Sequence, residues 1–196
     1  LGCQERTAEN LRSASNTHGG RHDTRRGCYA RVSLDLENKE DLNVLQAEGW
    51  RIAPGLVPGE PNQGLVAERR GSPPRLADFD DSGWAVGDIQ ERRSVGLTFA
   101  WYRLRFTMPE TVKGQAVAGN RVFFECNVDN YGEVWVDGVI DRTIGAVTGN
   151  NTPKRVLVHA SAVPGEKHVI AVLVANAPLG DPVGASFFRY ATLAFE

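Results

Sequence analysis

Between Glu125 and Thr152 the chain gathers the side chains best suited to chemistry. Asn127, Asp129 and Asn130 supply planar amide and carboxylate groups, Tyr131 a phenol and Trp135 a large ring. Asn150, Asn151 and Thr152 repeat the polar set further along. A small carbohydrate requires such a mixture, because planar groups meet its hydroxyls while a ring covers its C–H surface. The same residues are also ordinary turn formers, since Asn and Asp side chains bond their own backbone. Glu125 and Glu133 flank the corner and offer a different chemistry, an acid and a base for hydrolysing a glycoside or lactone. That reaction needs the two carboxyls roughly 5–10 Å apart across one cleft.

A second polar group lies in DFDDSGW, where Asp78, Asp80 and Asp81 cluster as in a calcium loop. Calcium takes about six to eight oxygens in defined geometry, and the spacing matches no EF-hand. The simpler reading needs no cofactor: Phe79 and Trp84 plug a sheet edge while Asp80 and Asp81 hold a turn, with structural calcium as the alternative. The sequence contains no G-x-S-x-G, no H-E-x-x-H and no phosphate loop. Its Cys and His residues lack zinc-site spacing. His159 and His168 lie at the ends of apolar runs with no carboxylate partner evident, and read as surface residues. In TFAWYRLRFT, Phe99, Trp101, Arg103 and Arg105 share one side. That arginine pair could clasp a carboxylate or sugar hydroxyls, but such a pair is more often a solvated face with its stems lying on rings.

These groups need a scaffold, and the periodicities describe one made of strands. Val122, Phe124, Cys126 and Val128 alternate with Phe123, Glu125, Asn127 and Asp129, and Val134/Val136 continue the pattern after the polar corner at 129–132. Such alternation belongs to strands with one buried face. The two runs read as an antiparallel pair, followed by a type I′ turn at Asp137-Gly138, where both residues need positive φ. Further strands read at 30–36, from 49–52, at 98–107, 154–160 and 186–195, and at 168–176, where the run is apolar on both faces as at the centre of a sandwich. Asn38 should cap a short helical stretch running to Glu48, with Leu42 and Leu45 inward and Gly49 ending it. Prolines at 54, 58, 61, 73 and 74 make 53–75 a loop. Phe124 and Trp84 are expected as buried anchors. About eight antiparallel strands without a βαβ pattern predict an all-β, jelly-roll β-sandwich over 30–196. Residues 1–29 hold few bulky apolar side chains and read as a flexible tail or leader remnant.

Composition narrows the function classes. A net charge of −2 and pI near 6.1 argue against nucleic acid as a partner. Hydrophobic content of 41% supports one core, and no run resembles a transmembrane segment. Of three cysteines, Cys126 falls on an apolar face as a buried free thiol, while Cys3 and Cys28 could pair after export. Leu1-Gly2-Cys3 resembles the end of a bacterial lipoprotein cleavage box, which favours a periplasmic or secreted location over a cytoplasmic one. A non-AUG start or a fragment accounts for the same residues. Asn150-Asn151-Thr152 also spells a glycosylation sequon.

Several motifs follow one another in an order that is similar to the sugar-binding domain of family 2 glycosidases. They are Asp78–Trp84, Trp101-Tyr102-Arg103 and EVWVDG at 133–138. With Arg92-Arg93 and VDNYGEVWVDG at 128–138 included, the match looks closer to the jelly-roll domain of some bacterial gluconolactonase-type proteins. The resemblance spans roughly 31–196 and implies a galactose-binding-domain-like jelly roll. It further implies a non-catalytic, carbohydrate-binding-like accessory module, with hydrolysis carried by a partner catalytic domain. The rivals are a small lactone or sugar hydrolase and a structural module that docks on a partner protein.

Overall fold

The computed structural model describes residues 30–54, 73–93, 98–141, 151–176 and 184–196. The expected tail at 1–29, most of the 53–75 loop, Asn150 and the loop at 178–182 lie outside the described residues. In chain order the elements begin with β1 (Val32–Asp35), α1 (Lys39–Val44), β2 (Arg51–Pro54), a 3-10 turn (Pro73–Arg75) and β3 (Ala85–Val86). There follow β4 (Thr98–Thr107), β5 (Thr111–Val112), β6 (Gln115–Ala116), β7 (Val122–Asp129) and β8 (Tyr131–Val136). β9 (Lys154–His159), β10 (Lys167–Asn176) and β11 (Phe187–Phe195) complete the described set.

Two antiparallel sheets face each other, one ordered β1-β11-β7-β9 and the other β3-β2-β4-β10-β8. The alternation read from the sequence decides what lies between them. Leu34, Phe124, Phe188 and Leu193 point in from the first sheet, and Tyr102, Leu104, Val134 and Ile170 from the second, all almost fully buried. Tyr102 meets Phe188 edge-on at 4.8 Å between ring centroids, and Trp50 lies 5.4 Å from Phe188 and 6.1 Å from Phe124. The architecture is an all-β sandwich, and Phe124 anchors it as expected. Among the described residues no helix is long and apolar enough to cross a membrane.

Two local expectations need correction. β7 and β8 are not a hairpin pair. β7 pairs with β11 and β9, whereas β8 pairs with β10 in the opposite sheet. The chain changes sheet at Asp129–Tyr131, which lets Phe124, Cys126, Val128 and Val134 all face one core. Gly132 sits at that crossing, where a Cβ would come within 2.6 Å of Val128 Cγ2. The helix is also shorter than expected. Asn38 Oδ1 accepts from the Glu40 and Asp41 amides at 2.8 and 3.4 Å, as a cap should. The helix then stops at Leu45, whose carbonyl accepts from Thr107 N of β4 at 2.8 Å, and Gln46 takes φ 53°.

The outer face of the five-stranded sheet is not a solvated arginine face. Residues 73–84 fold over it, and Arg103 beneath them has no exposed surface. Arg103 Nε donates to Asp81 Oδ2 at 2.7 Å, and Arg105 Nε lies 3.1 Å from Asp81 Oδ1. The guanidiniums also reach the carbonyls of Pro74, Ala77 and Phe79. Burying Arg103 is tolerable here because a carboxylate and carbonyls meet its donors, while Arg105 caps the same carboxylate from the exposed side. Trp84 belongs to this layer, half-buried against Phe79 at 5.5 Å, and is not a core anchor.

Candidate functional site

Strand alternation distributes the polar residues of the corner over two surfaces. Asn127 and Asp129 project from β7 on the outer face of the four-stranded sheet. Tyr131, Glu133 and Trp135 project from β8 on the outer face of the five-stranded sheet. The structure brings Asn127 and Asn151 together, Asn127 Nδ2 donating to Asn151 Oδ1 at 2.9 Å. Asn127 Oδ1 is buried and has no hydrogen-bond partner among the described residues. Asn130 Nδ2 donates to Asp129 Oδ1 at 2.5 Å. Tyr131 turns away and donates its hydroxyl to Glu133 Oε1 at 2.9 Å. Burial and that carboxylate both push the phenol's pKa up. Trp135 is half-buried in a small apolar layer with Trp101 and Leu173, and Arg75 lies over its ring at 5.3 Å. Its platform is thus already occupied by a guanidinium.

Asp129 instead opens into a groove of about 560 Å³ that it lines with Gln90, Arg92, Phe187, Phe188 and Arg189. A β-bulge builds this groove. Phe187 pairs with Asp129 and Phe188 with Val128, but Tyr190 is the next residue in register, opposite Asn127. Arg189 is the extra residue, and a bulge re-aims the side chains around it. Phe188 and Ala191 both point inward, leaving Arg189 and Tyr190 consecutive and exposed. Arg189 NH2 reaches Asp129 Oδ2 at 3.3 Å and lies over the half-buried Phe187 ring at 5.3 Å. The other wall comes from 89–93, which runs antiparallel to the start of β11. Arg93 and Ser186 exchange backbone bonds of 3.0 and 2.8 Å, and Phe188 N donates to Ile89 O at 2.8 Å. Arg92 is thereby set over Phe187 at 5.4 Å. Phe187, Arg92 and Arg189 were not singled out from the sequence as site residues. The available signal was the broken alternation in FFRYATLAF, where inward positions 188 and 191 are three apart.

A larger groove of about 920 Å³ lies on the five-stranded sheet, lined among others by Arg51, Asp78, Asp80, Arg105, Asp137 and His168. Its charges are largely satisfied from within. Arg51 pairs with Glu48 at 2.6 Å, and His168 Nδ1 meets Asp137 Oδ2 at 2.8 Å. His168 is therefore buried and paired, contrary to the surface position expected for it. The β8–β10 register places Val136 opposite Ile170, which carries the 137–138 turn to the start of β10. Asp137 and Gly138 adopt φ 48° and 83°, as the turn requires. Burial works to raise the Asp137 pKa, but the His168 contact and the Val169 amide outweigh it and hold the carboxyl low. His159 is half-buried; its Nδ1 accepts from Ser161 N at 3.1 Å and its Nε2 lies 3.2 Å from Glu166 Oε2.

The remaining candidates are accounted for. Asp81 is spent on Arg103 and Arg105, and Asp80 Oδ1 accepts from Ser82 N at 2.9 Å in a turn. Among the described residues no three His, Cys, Asp or Glu side chains converge as metal ligands. Glu125 is bound by Arg31 and Arg155 on the outer face of the four-stranded sheet. Glu133 lies on the opposite outer face, so the two glutamates do not share a cleft.

No protein-family model and no curated protein matches the sequence. Solved structures do share its fold. Bacteroides uniformis β-glucuronidase 2, covalently bound to cyclophellitol-6-carboxylate aziridine, superposes with TM-score 0.56 at 15% identity, over 85% of this chain and 18% of that one. A glycosyl hydrolase family 2 member from Bacteroides cellulosilyticus gives 0.54 at 17% identity, over 84% and 20%. Faecalibacterium prausnitzii β-glucuronidase gives 0.53 at 19% identity, over 87% and 32%. At such identities the likeness is one of fold, and this chain spans 18% to 32% of those three chains. Its β-sandwich is thus similar to one part of larger family 2 glycosidases.

Proposed function

We propose that this chain is a non-catalytic, carbohydrate-binding accessory module that works beside the catalytic domain of a sugar-acting enzyme. Its ligand, a small sugar or sugar derivative, lies in the groove at Phe187. One observation carries the reading: a half-buried aromatic ring, a carboxylate and two guanidiniums line a single groove at the corner where the chain changes sheet. These are the planar donors and acceptors and the apolar surface that sugar recognition uses. The likeness to one part of larger glycosidases supports an accessory place in a longer assembly.

Binding is expected to be weak, since a sugar exchanges water hydrogen bonds for protein ones at little net gain. A dissociation constant near the millimolar range corresponds to about 4 kcal/mol. The test is to titrate neutral sugars, aldonolactones and uronates into isotope-labelled protein and follow backbone amide shifts. Shifts should cluster at 90–92, 127–131 and 187–190, and Phe187→Ala should abolish them with the fold intact. Absence of any clustered shift with every sugar refutes the proposal. Turnover of a lactone by the isolated chain, lost on Glu133→Gln, would establish a hydrolase instead.

A further inference from the structure

The ligand class follows from the charges in the groove, and this step rests on the carbohydrate reading above. Arg93, Arg103, Arg105, Arg155 and Arg189 each meet a carboxylate. Arg92 does not: among the described residues its guanidinium has the Phe187 ring beneath it and no acidic partner. Among the described residues Asp129 is the one carboxylate lining the groove, and it is already engaged by Arg189 and by the Asn130 amide. Two guanidiniums therefore face one carboxylate, leaving a net positive charge in a concave site. Phe187 carries both guanidiniums and so holds their position, which lowers the side-chain entropy lost on binding. An arginine fork presents parallel donors that match a carboxylate or a sulfate ester, and an ionised acceptor makes each hydrogen bond stronger.

We propose that the Phe187 groove selects a sugar bearing one oxyanion, received by Arg92, over its neutral counterpart. The hydroxyls of the same sugar then meet Asp129 and Arg189, which line the same groove. Glu91, the acidic neighbour of Arg92 in the chain, is paired with Arg93.

The experiment uses the full chain and four probes: glucuronate, methyl glucoside, glucose 6-sulfate and acetate, each followed by amide shifts at several salt concentrations. Glucuronate, glucose 6-sulfate or both should bind about tenfold more tightly than methyl glucoside, as one charge-assisted hydrogen bond provides. Whichever of the two binds more tightly identifies the oxyanion as carboxylate or sulfate. Arg92→Gln should erase the preference, weakening the charged sugar about tenfold more than methyl glucoside, and Arg92→Lys should restore part of it. Arg92 is exposed, so the spectrum of either variant should otherwise match the parent. Equal affinity for charged and neutral sugars overturns the selectivity and leaves the sugar site standing. Acetate binding as tightly as glucuronate, with no response to methyl glucoside, overturns both.

Discussion

Replacing Asp81 by Ala should destabilise the sandwich far more than loss of a surface turn residue would. Asp81 is 4% exposed and Arg103 has no exposed surface, with 2.7 Å between Asp81 Oδ2 and Arg103 Nε. Without the carboxylate, Arg103 remains buried with only the Pro74 and Phe79 carbonyls to meet its charge. Breaking a buried pair from one side costs about 3–5 kcal/mol, most of it the stranded charge. Arg105 adds little to that figure, because it is 43% exposed and screened by solvent. For a domain of this size the change lowers the melting midpoint on the order of 10 °C. Urea unfolding should show a lower midpoint at unchanged slope. Arg103→Met combined with Asp81→Ala should recover part of the loss, since the buried charge is then gone. The pH dependence has a defined sign. Burial works to raise the Asp81 pKa, but the bonds from Arg103 and Arg105 outweigh it, so the folded value is depressed. Its stabilisation is complete above the unfolded value of about 3.9 and is lost as pH falls through the lower folded value. The gap between parent and Asp81→Ala should therefore be full at pH 7 and close in stronger acid. A variant within about 1 kcal/mol of the parent at pH 7, or a gap that persists undiminished in acid, refutes the reasoning.

Gly132→Ala should cost about 1–3 kcal/mol by overpacking, because its Cβ would fall 2.6 Å from the stiff Val128 side chain; equal urea midpoints for variant and parent would show that the two sheets can separate at the corner. Burial pushes the Cys126 thiol up to about 12. Cys126 should then resist a thiol reagent at pH 7 until the protein unfolds, and labelling of Cys126 in the native protein, located by peptide mapping, would contradict this.

What the sequence determined by itself depends on neighbours along the chain. The two-residue period of β7 and β9 announced strands, because side chains alternate whatever the sheet does around them, and the run of β10, apolar on both faces, announced a buried one. Asn38 announced its cap and Asp137-Gly138 its turn, since both act on backbone groups within three residues. These local signals added up to an all-β sandwich with Phe124 in its core. The tertiary structure decided which sheet each strand joins. Alternation says that Asn127 and Tyr131 face outward, but not that they face outward from opposite sheets. Sequence order likewise could not show Asp81 reaching Arg103, or Asp137 reaching His168, because each contact is made by segments that meet only after folding. The candidate site is the clearest case. Asp129 was visible as a polar corner residue, whereas Phe187, Arg189 and Arg92 join it only through the bulge in β11 and the antiparallel bridge at Arg93–Ser186. A bulge is set by how two sheets close over a shared core, and that closure is a property of the packed molecule.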